Sequence, residues 1–233
     1  MKQFFSDPKT LFIYMLIISL FLAVPLLGNQ AVTAIAENEY PQKWVVIDAG
    51  HGGVDGGAVS CTGVYESHIN LQIALKLEAL MDLIGVRTVM IRDTDRSIYT
   101  KGETIAAKKI SDIRERVRIV NSTPNAVLVS IHQNNFSDAR YSGAQVFYNA
   151  QPDSKALAER LQTGFRENLN PANKRSVKRT SGVYLMEHIN CTGVLIECGF
   201  LSNHKEESML RDNAYQNKLC CVIASCLSQY LNT

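Results

Sequence analysis

Short apolar runs alternate with longer helical patterns along most of this chain. The runs that predict strands occupy residues 45–47, 86–91, 126–131, 143–148 and 194–196. Strands as apolar as these are typically covered on both faces, and alternating strands and helices are typical of a parallel sheet between helical layers. The sequence therefore predicts an α/β fold, with helices on both faces of a central sheet.

Between these runs, apolar residues recur at intervals of three and four, which is the spacing of one helix face. Leu71, Leu77 and Met81 lie on such a face, in a helix predicted to open at Asn70 and to end near Gly85. No internal repeat and no second-domain linker is visible, so this region is expected to fold as one domain. Further helices are predicted around residues 113–120, 154–169 and 214–231.

The first 36 residues have the layout of an export signal. Lys2 and Lys9 come before and beside an apolar run over residues 11–27, and an A-x-A site follows at residues 34–36. Because a spanning helix needs about 20 apolar residues, an uncleaved N-terminal membrane anchor is the alternative. Both interpretations export the rest of the chain. The predicted organisation is a signal peptide or anchor over 1–36, a linker over 37–43 and a folded domain over 44–233.

The composition argues against several classes of protein. With 46% hydrophobic and 20% charged residues, the chain is neither disordered nor collagen-like. Its net charge is only +2, whereas nucleic-acid-binding proteins usually carry a clear basic excess, so no nucleic-acid partner is predicted. The one basic cluster, at residues 174–179, is interpreted as a solvated loop.

The cysteines leave the question of disulfides open. Their even number in an exported chain is compatible with pairing, but no C-x-x-C spacing occurs and a domain of this size does not need cross-links. Most of them are expected to be buried small apolar side chains. They are Cys61, Cys191, Cys198, Cys220, Cys221 and Cys226.

Side chains able to bind a metal or move protons follow three of the apolar runs. These are His51, His132 and Glu197, and ligands often gather beyond the strand ends of open α/β sheets. Glu66 precedes the first helix, where a carboxylate would also simply favour the helix dipole. Two imidazoles and one carboxylate, with water in the fourth position, make a catalytic zinc site. The further carboxylate, Glu197, is then the candidate for moving protons between water and a leaving amine.

Other chemistries lack their sequence signatures. Residues 50–57 are rich in glycine, but the absence of Gly-Lys-Ser/Thr argues against a phosphate-binding loop. Ser60, Ser130 and Cys198 show no local nucleophile motif. The remaining histidines are interpreted as surface or hydrogen-bonded side chains: His68, His188 and His204.

Four blocks follow one another along the chain. They are VIDAGHGG at residues 46–53 with DGGA at 55–58, Glu66 with Asn70 and Leu71, SIHQN at 130–134, and VLIECGFLSN at 194–203. Together they resemble the zinc-dependent N-acetylmuramoyl-L-alanine amidases of the amidase-3 type. The likeness covers residues 44 to about 231, which makes residues 44–233 the expected zinc amidase catalytic domain.

The resemblance implies a single α/β domain with a largely parallel sheet of about six strands. It implies that His51, Glu66 and His132 bind one Zn²⁺ per chain and that Glu197 is the catalytic carboxylate. Asn134, the last residue of the third block, is a candidate substrate-binding residue. The implied reaction is hydrolysis of the amide between the lactyl group of N-acetylmuramic acid and the L-alanine of the peptidoglycan stem peptide.

A compact domain without wall-binding repeats, and without room for an extra helix between residues 136 and 194, most resembles the germination-specific, CwlD-type amidases of spore-forming bacteria. Those enzymes remove stem peptides from the spore cortex so that muramic-δ-lactam can form. The alternatives are a general cell-wall amidase of growth or division, a zinc peptidase that cuts within the stem peptide, and a non-catalytic peptidoglycan-binding envelope protein.

The expected partners are peptidoglycan and, because an open three-ligand site can hold its metal weakly, a protein activator. Contact with a membrane is expected only through an uncleaved N-terminal segment. The chain departs from the family at Glu187 and Thr192, where the family often has Arg and Pro. Cys61 and Cys198, which flank the expected site residues, are also unusual for the family.

Overall fold

Six strands form one sheet in the computed structural model, which describes Met15 and residues 42–232. The strands are β1 (Trp44–Ala49), β2 (Thr88–Met90), β3 (Ala126–Asn134), β4 (Gln145–Tyr148), β5 (Lys178–Arg179) and β6 (Thr192–Phe200). Their order across the sheet is β2-β1-β3-β6-β4-β5. Neighbouring strands are parallel except β4 and β6, which are antiparallel. The prediction of a largely parallel sheet of about six strands is confirmed.

Helices cover both faces of this sheet, as predicted. In residues 42–232 they are α1 (Glu66–Leu83), α2 (Ile105–Ser122), α3 (Ser154–Asn168), α4 (Tyr184–His188), α5 (His204–Arg211) and α6 (Asn213–Leu231). Helices α1, α3, α5 and α6 contribute to the hydrophobic cluster on one face, while α2 and α4 contribute to the cluster on the other.

Successive strand residues point to opposite faces, so each strand contributes to both clusters. We call the larger cluster the large apolar face; it includes Ile47, Val129 and Ile196 from the strands and Leu77, Leu161 and Ile223 from the helices. We call the other cluster the small face; it includes Val46, Leu128 and Leu195 from the strands and Val120 and Met186 from the helices. The fold is therefore a sheet with two unequal hydrophobic layers.

Two strands extend further than their apolar runs predicted. Strand β3 continues to Asn134 and β6 to Phe200, so His132 and Glu197 lie within strands and not beyond their ends. His132 still pairs in register with Glu197, and the register shifts only between His132 and Asn134. The prediction was wrong because hydrophobicity reports burial on both faces, whereas strand pairing continues where one face becomes polar.

Helix α1 begins at Glu66 and not at Asn70. Asn70 lies fully buried inside the helix, where its Nδ2 donates to the Gly50 carbonyl at 3.1 Å. The apolar pattern starts late because the first turn carries polar residues that serve the loop after β1. Gly85, with φ of 76°, follows the end of the helix as predicted.

Other differences arise where local signals were weak. Helix α2 begins at Ile105, well before the apolar face at Ile113, because the Thr104 side chain caps it by accepting from the Ala107 amide at 3.2 Å. The basic cluster at residues 174–179 is not a loop throughout, since β5 pairs with β4 at the sheet edge. Helices α4 and α5 were not predicted.

All six cysteines are free thiols. Cys198, Cys220 and Cys226 are buried, Cys191 is partly buried, and Cys61 and Cys221 are exposed, so the expected burial holds for three of the six. Within residues 42–232, no helix combines the length and the apolar character needed to cross a membrane. The predicted signal or anchor over residues 1–36 lies outside the described residues, Met15 excepted.

Candidate metal centre and its surroundings

Two imidazoles and one carboxylate come together at the carboxyl ends of the parallel strands. His51 lies in the loop that follows β1, His132 lies near the end of β3, and Glu66 is the first residue of α1. One ligand atom from each lies within 4.8 Å of the others. Because β1 and β3 are parallel neighbours, their carboxyl ends lie at the same edge of the sheet, and this brings His51 and His132 together.

Glu66 is buried between the two histidines. Its Oε1 lies 3.0 Å from His132 Nδ1, and its Oε2 lies 3.3 Å from His51 Nε2. Two backbone amides also donate to it, from Gln133 at 3.1 Å and from Ala58 at 3.0 Å. Burial alone would raise the pKa of this carboxyl, but the two histidines lower the pKa well below its usual range. Glu66 is therefore an ionised carboxylate in a buried position.

His51 is held in one orientation by Asp55. The Asp55 carboxylate lies 2.9 Å from His51 Nδ1, which leaves Nε2 facing Glu66, and Lys109 Nζ binds the other Asp55 oxygen at 2.8 Å. Burial disfavours the charged ring, yet the bonds to Asp55 and Glu66 raise the pKa of His51 to about 9. A carboxylate on the far nitrogen is the arrangement that orients metal-binding histidines in proteins.

The backbone around these ligands has no room for larger side chains. His51 itself has a φ of 61°, a left-handed conformation that is uncommon for residues other than glycine. A Cβ on Gly57, whose φ is 70°, would come within 2.7 Å of both Glu66 Oε2 and His51 Cδ2. A Cβ on Gly50 would collide with the His132 ring. The glycines of the first sequence block therefore allow the ligands to approach each other.

A second carboxylate stands beside this group. Glu197 on β6 pairs directly with His132 on β3, so the two side chains lie on the same face of the sheet. The residue is partly exposed, but its Oε2 is buried and has no hydrogen-bond partner among the described residues. Burial is the main cause that raises the pKa of Glu197 to about 7, with Glu66 adding to it and the histidines opposing it. Such a group can both accept and donate a proton near neutral pH.

This arrangement fits a divalent metal ion. The donors are two imidazole nitrogens and one ionised carboxylate oxygen, one of the histidines has a carboxylate behind it, and a further carboxylate faces the same space. This is the ligand chemistry of catalytic metal sites, which keep a position open for water. The sequence-predicted residues His51, Glu66 and His132 are thus brought together, with Glu197 next to them.

Comparison with known proteins decides the family. The sequence profile described as N-acetylmuramoyl-L-alanine amidase matches residues 45–229. The chain belongs to this amidase family. The blocks on which the resemblance rested lie within the matched region, and the chain is an amidase that acts on peptidoglycan.

Relatives and solved structures agree with that membership. The amidase is 33% identical, over 81% of its own chain and 79% of the relative, to the germination-specific N-acetylmuramoyl-L-alanine amidase of Bacillus subtilis. It is 29% identical to the amidase LytC of the same organism, of which it spans 34%. Its fold matches the structure of the CwlD amidase from Clostridioides difficile in complex with the GerS lipoprotein, with a TM-score of 0.79 and 37% identity, covering 82% of this chain and 99% of that one.

Sequence reasoning missed a buried ion pair that contacts the His51 loop of this amidase. Arg116 of α2 binds the Asp48 carboxylate at 2.5 Å, and Ser130 donates to the same carboxylate at 2.6 Å. Arg116 also donates to the carbonyl oxygens of Ala49 and His51, at 3.0 and 2.8 Å. Arg116 therefore links the core of the sheet to the backbone of the His51 loop.

A second buried arginine holds the same loop. Arg92 is fully buried, and its guanidinium donates to the carbonyl oxygens of Ala49, Gly50, Ser67 and Thr94 at 2.8–3.1 Å. Sequence reasoning did not predict this role for Arg92. The only available signal was its place directly after a strand.

The other candidate residues are not members of the donor group. Asn134 ends β3, two residues beyond His132 on the same strand, and is partly exposed. Cys198 packs into the large apolar face, and Cys61 Sγ lies 3.3 Å from His204 Nδ1, so neither thiol is among the metal donors. Glu187 accepts from the Gly182 amide at 2.6 Å, and Thr192 donates to the Pro152 carbonyl at 3.0 Å.

Proposed function

We propose that this amidase is zinc-dependent, that His51, Glu66 and His132 hold one Zn²⁺, and that Glu197 is its catalytic carboxylate. The observation that carries the proposal is the buried, unpartnered Glu197 Oε2 beside the His-Glu-His group. A carboxylate in that position has no structural hydrogen bond to explain it, whereas a water molecule or a substrate amide beside the metal would give it a partner.

The bound zinc would polarise the scissile carbonyl and lower the pKa of a coordinated water toward about 7. Glu197 would accept a proton from the attacking water as the C–O bond forms, and donate it to the L-alanine nitrogen as the C–N bond of the amide breaks. Its pKa of about 7 suits both halves of this transfer. Asp55 keeps the His51 ring oriented throughout, and Lys109 keeps Asp55 in place.

Protons and zinc compete for this site. His51 must lose its proton to bind a metal, while Asp55 and Glu66 favour the protonated ring. Zinc binding is therefore expected to weaken as the pH falls and to release protons. An open site of three ligands in this state would benefit from a partner that holds its loops in place.

We further propose that the physiological substrate is the spore cortex, where stem-peptide removal allows muramic-δ-lactam to form. The germination-specific relative supports this proposal, and the CwlD structure in complex with a lipoprotein supports a protein activator. Residues 44–233 would be the catalytic domain outside the cytoplasmic membrane, behind a signal or anchor at residues 1–36 and a linker at 37–43. Asn134 would contact the substrate beside the scissile amide.

Digestion of purified peptidoglycan by the full chain, with products identified by mass spectrometry, tests the reaction. Intact stem peptides beginning at L-alanine, lost with a chelator and restored by zinc, are expected. Cleavage between two amino acids would show a peptidase instead, and zinc binding without any product would favour an envelope-binding protein.

Two further comparisons test the finer proposals. Cortex and vegetative peptidoglycan serve as matched substrates, and equal or faster cleavage of the vegetative form would favour a general wall amidase. Adding the lipoprotein partner of a related system, or a membrane extract of sporulating cells, should raise both zinc content and rate if an activator is required. Unchanged zinc content and rate would contradict the activator.

A further inference from the structure

Arg175, in the basic cluster at residues 174–179, is fixed in place but keeps part of its guanidinium free. Its Nε donates to the Ser142 carbonyl at 2.8 Å and its Nη1 donates to Gln145 Oε1 at 2.9 Å. The guanidinium lies over the Phe200 ring, 4.4 Å from the ring centre. Its Nη2 has no hydrogen-bond partner among the described residues. An arginine held on one side in this way can bind a carboxylate on the other.

The two side chains that hold Arg175 are neighbours of Glu197. Gln145 on β4 pairs directly with Glu197 on β6, so the two lie side by side on the same face. Phe200 ends β6 and pairs with Asn134, as Glu197 pairs with His132. The strand register shifts between these two pairs, so the position of Phe200 next to Arg175 is given by the ring contact and not by strand alternation. Arg175 therefore binds a side chain that lies directly beside the proposed catalytic carboxylate.

The surroundings of Arg175 are strongly basic. Within residues 42–232, no carboxylate lies within ion-pair distance of Arg175 or of the other cations of the cluster, which are Lys174, Lys178 and Arg179. Lys178 and Arg179 are exposed on the edge strand β5. Arg175 and Lys174 also line a cavity of about 390 Å³ together with Arg140.

The carboxylate that lies near this cluster already accepts hydrogen bonds from the backbone. Glu206 feels the charge of Arg175, but its two oxygens accept from the backbone amides of Gly143, at 2.7 Å, and Phe200, at 2.9 Å. Glu206 thus directs its oxygens at backbone amides and makes no ion pair with Arg175. A ligand that reaches both Glu197 and Arg175 must carry its negative charge a short distance from the bond that is cut.

We propose that Arg175, assisted by Lys174 and Lys178, binds a free carboxylate of the stem peptide on the L-alanine side of the scissile amide. This inference rests on the proposed function and names the part of the substrate that this surface recognises. An extended peptide advances about 3.3–3.6 Å per residue, and the residue after L-alanine is glutamate with a free α-carboxylate in the unmodified stem peptide. That carboxylate lies one residue beyond the amide nitrogen, on the side away from the glycan.

Two small substrates that differ only in this carboxylate provide the test. They are N-acetylmuramoyl-L-alanyl-D-glutamate and N-acetylmuramoyl-L-alanyl-D-isoglutamine, in which the α-carboxylate is an amide. The wild-type full chain with zinc should cleave the acid with a kcat/KM about ten- to a hundredfold higher than the amide, mainly through KM. Arg175→Gln should reduce this ratio to near one, while Arg175→Lys should keep part of it.

Arg87→Gln is the matched control, because Arg87 is exposed and stacks on Trp44 at the opposite end of β1 from the metal centre. This variant should keep the wild-type ratio. Equal cleavage of both substrates by the wild type, or an unchanged ratio in Arg175→Gln, would overturn the inference. Thermal unfolding establishes that each variant is folded, and if Arg175→Gln is not, Lys178→Gln and Arg175→Lys take its place.

A binding measurement tests this inference independently of the proposed function. The dipeptides L-Ala-D-Glu and L-Ala-D-isoglutamine are titrated into the zinc-loaded chain and followed by NMR. Tighter binding of the acid, lost in Arg175→Gln, supports the carboxylate site even where neither muropeptide is cleaved, a result that would count against the amidase mechanism alone. Equal binding of the two dipeptides would overturn the carboxylate site even in an active amidase.

Discussion

Toward the carboxyl ends of β1 and β3, the two faces of the sheet bury different kinds of residue. On the large apolar face, β1 and β3 present Ile47 and Val129, which belong to one cluster of buried apolar side chains. On the other face, the next residues of the same strands are Asp48 and Ser130, which pair in register and face Arg116. One face is an ordinary hydrophobic layer, whereas the other becomes an ionic network toward the metal centre.

The large apolar face therefore contributes mainly to stability, whereas the ionic network mainly positions the His51 loop. Apolar packing is not directional, so the large apolar face can hold the sheet together without fixing any one side chain. A buried ion pair adds little net stability over an apolar substitute, but losing one partner leaves an uncompensated charge. The Asp48–Arg116 pair therefore changes the free energy of unfolding little while both residues are present, and it fixes the backbone that carries His51.

The largest effect is expected from Glu197→Gln. Removing the proton carrier should lower kcat by about 10²- to 10⁴-fold, while zinc content and thermal unfolding stay at wild-type values. Metal analysis, melting curves and muropeptide release check the three quantities. Activity near the wild-type level would show that another group moves the proton.

Breaking the ionic network should affect the fold as well as the site. Arg116→Ala leaves Asp48 buried without its partner and should reduce the free energy of unfolding by about 3–5 kcal/mol, measured in urea. Zinc affinity should fall too, because the His51 carbonyl loses its donor. Arg118→Ala, which removes an exposed ion pair with Glu115 on the same helix, is the control and should behave as wild type. Equal behaviour of the two variants would contradict the distinction between the faces.

A cavity in the large apolar face should lower the stability of the protein without weakening zinc binding. Leu161→Ala removes a fully buried side chain and should cost about 2–5 kcal/mol of unfolding free energy. The zinc affinity of the folded protein should not change at a temperature where the variant remains folded. Calorimetric zinc titration beside urea unfolding measures both, and weakened zinc binding in folded Leu161→Ala would show that the faces are coupled.

Asp55→Asn tests the orientation of His51 alone. The neutral side chain should weaken zinc binding by about ten- to a hundredfold, the usual cost of losing the partner behind a metal-binding histidine. Asp93→Asn, at an exposed carboxylate paired with Arg96, is the matched control. Competition with a zinc-sensitive dye gives both affinities, and equal affinities would remove Asp55 from the proposed site.

The smallest effect is expected from pH. Burial opposes ionisation of Asp48, but Arg116, His132 and the Ser130 hydroxyl outweigh it and lower the pKa. A lowered folded-state pKa stabilises the protein above the unfolded value of about 3.9, and this contribution is lost as the pH falls through the folded value. Wild-type unfolding free energy should therefore decrease below about pH 4, and Asp48→Asn should show a shallower decrease. Parallel curves would indicate that Asp48 does not contribute.

Much of this architecture could be predicted, because its signals are local. Apolar runs identified β1, β3, β4 and β6, and three- and four-residue spacing identified α1, α3 and α6. The ends of these helices and strands were predicted less accurately, since Glu66 opens α1 with polar residues and β6 continues through Glu197. The candidate donors His51, Glu66 and His132, which the structure brings together, could be predicted because each stands in a distinctive block of the sequence.

The sequence by itself determined the fold class and the family and pointed to the candidate metal donors, because hydrophobic periodicity and short motifs are properties of neighbouring residues. Only the tertiary structure decided which charged residues are buried and which remain free. Arg116 meets Asp48 across 68 positions of sequence, and Arg175 meets Gln145 across 30. Such contacts depend on the register of strands far apart in the chain, and no local pattern specifies that register.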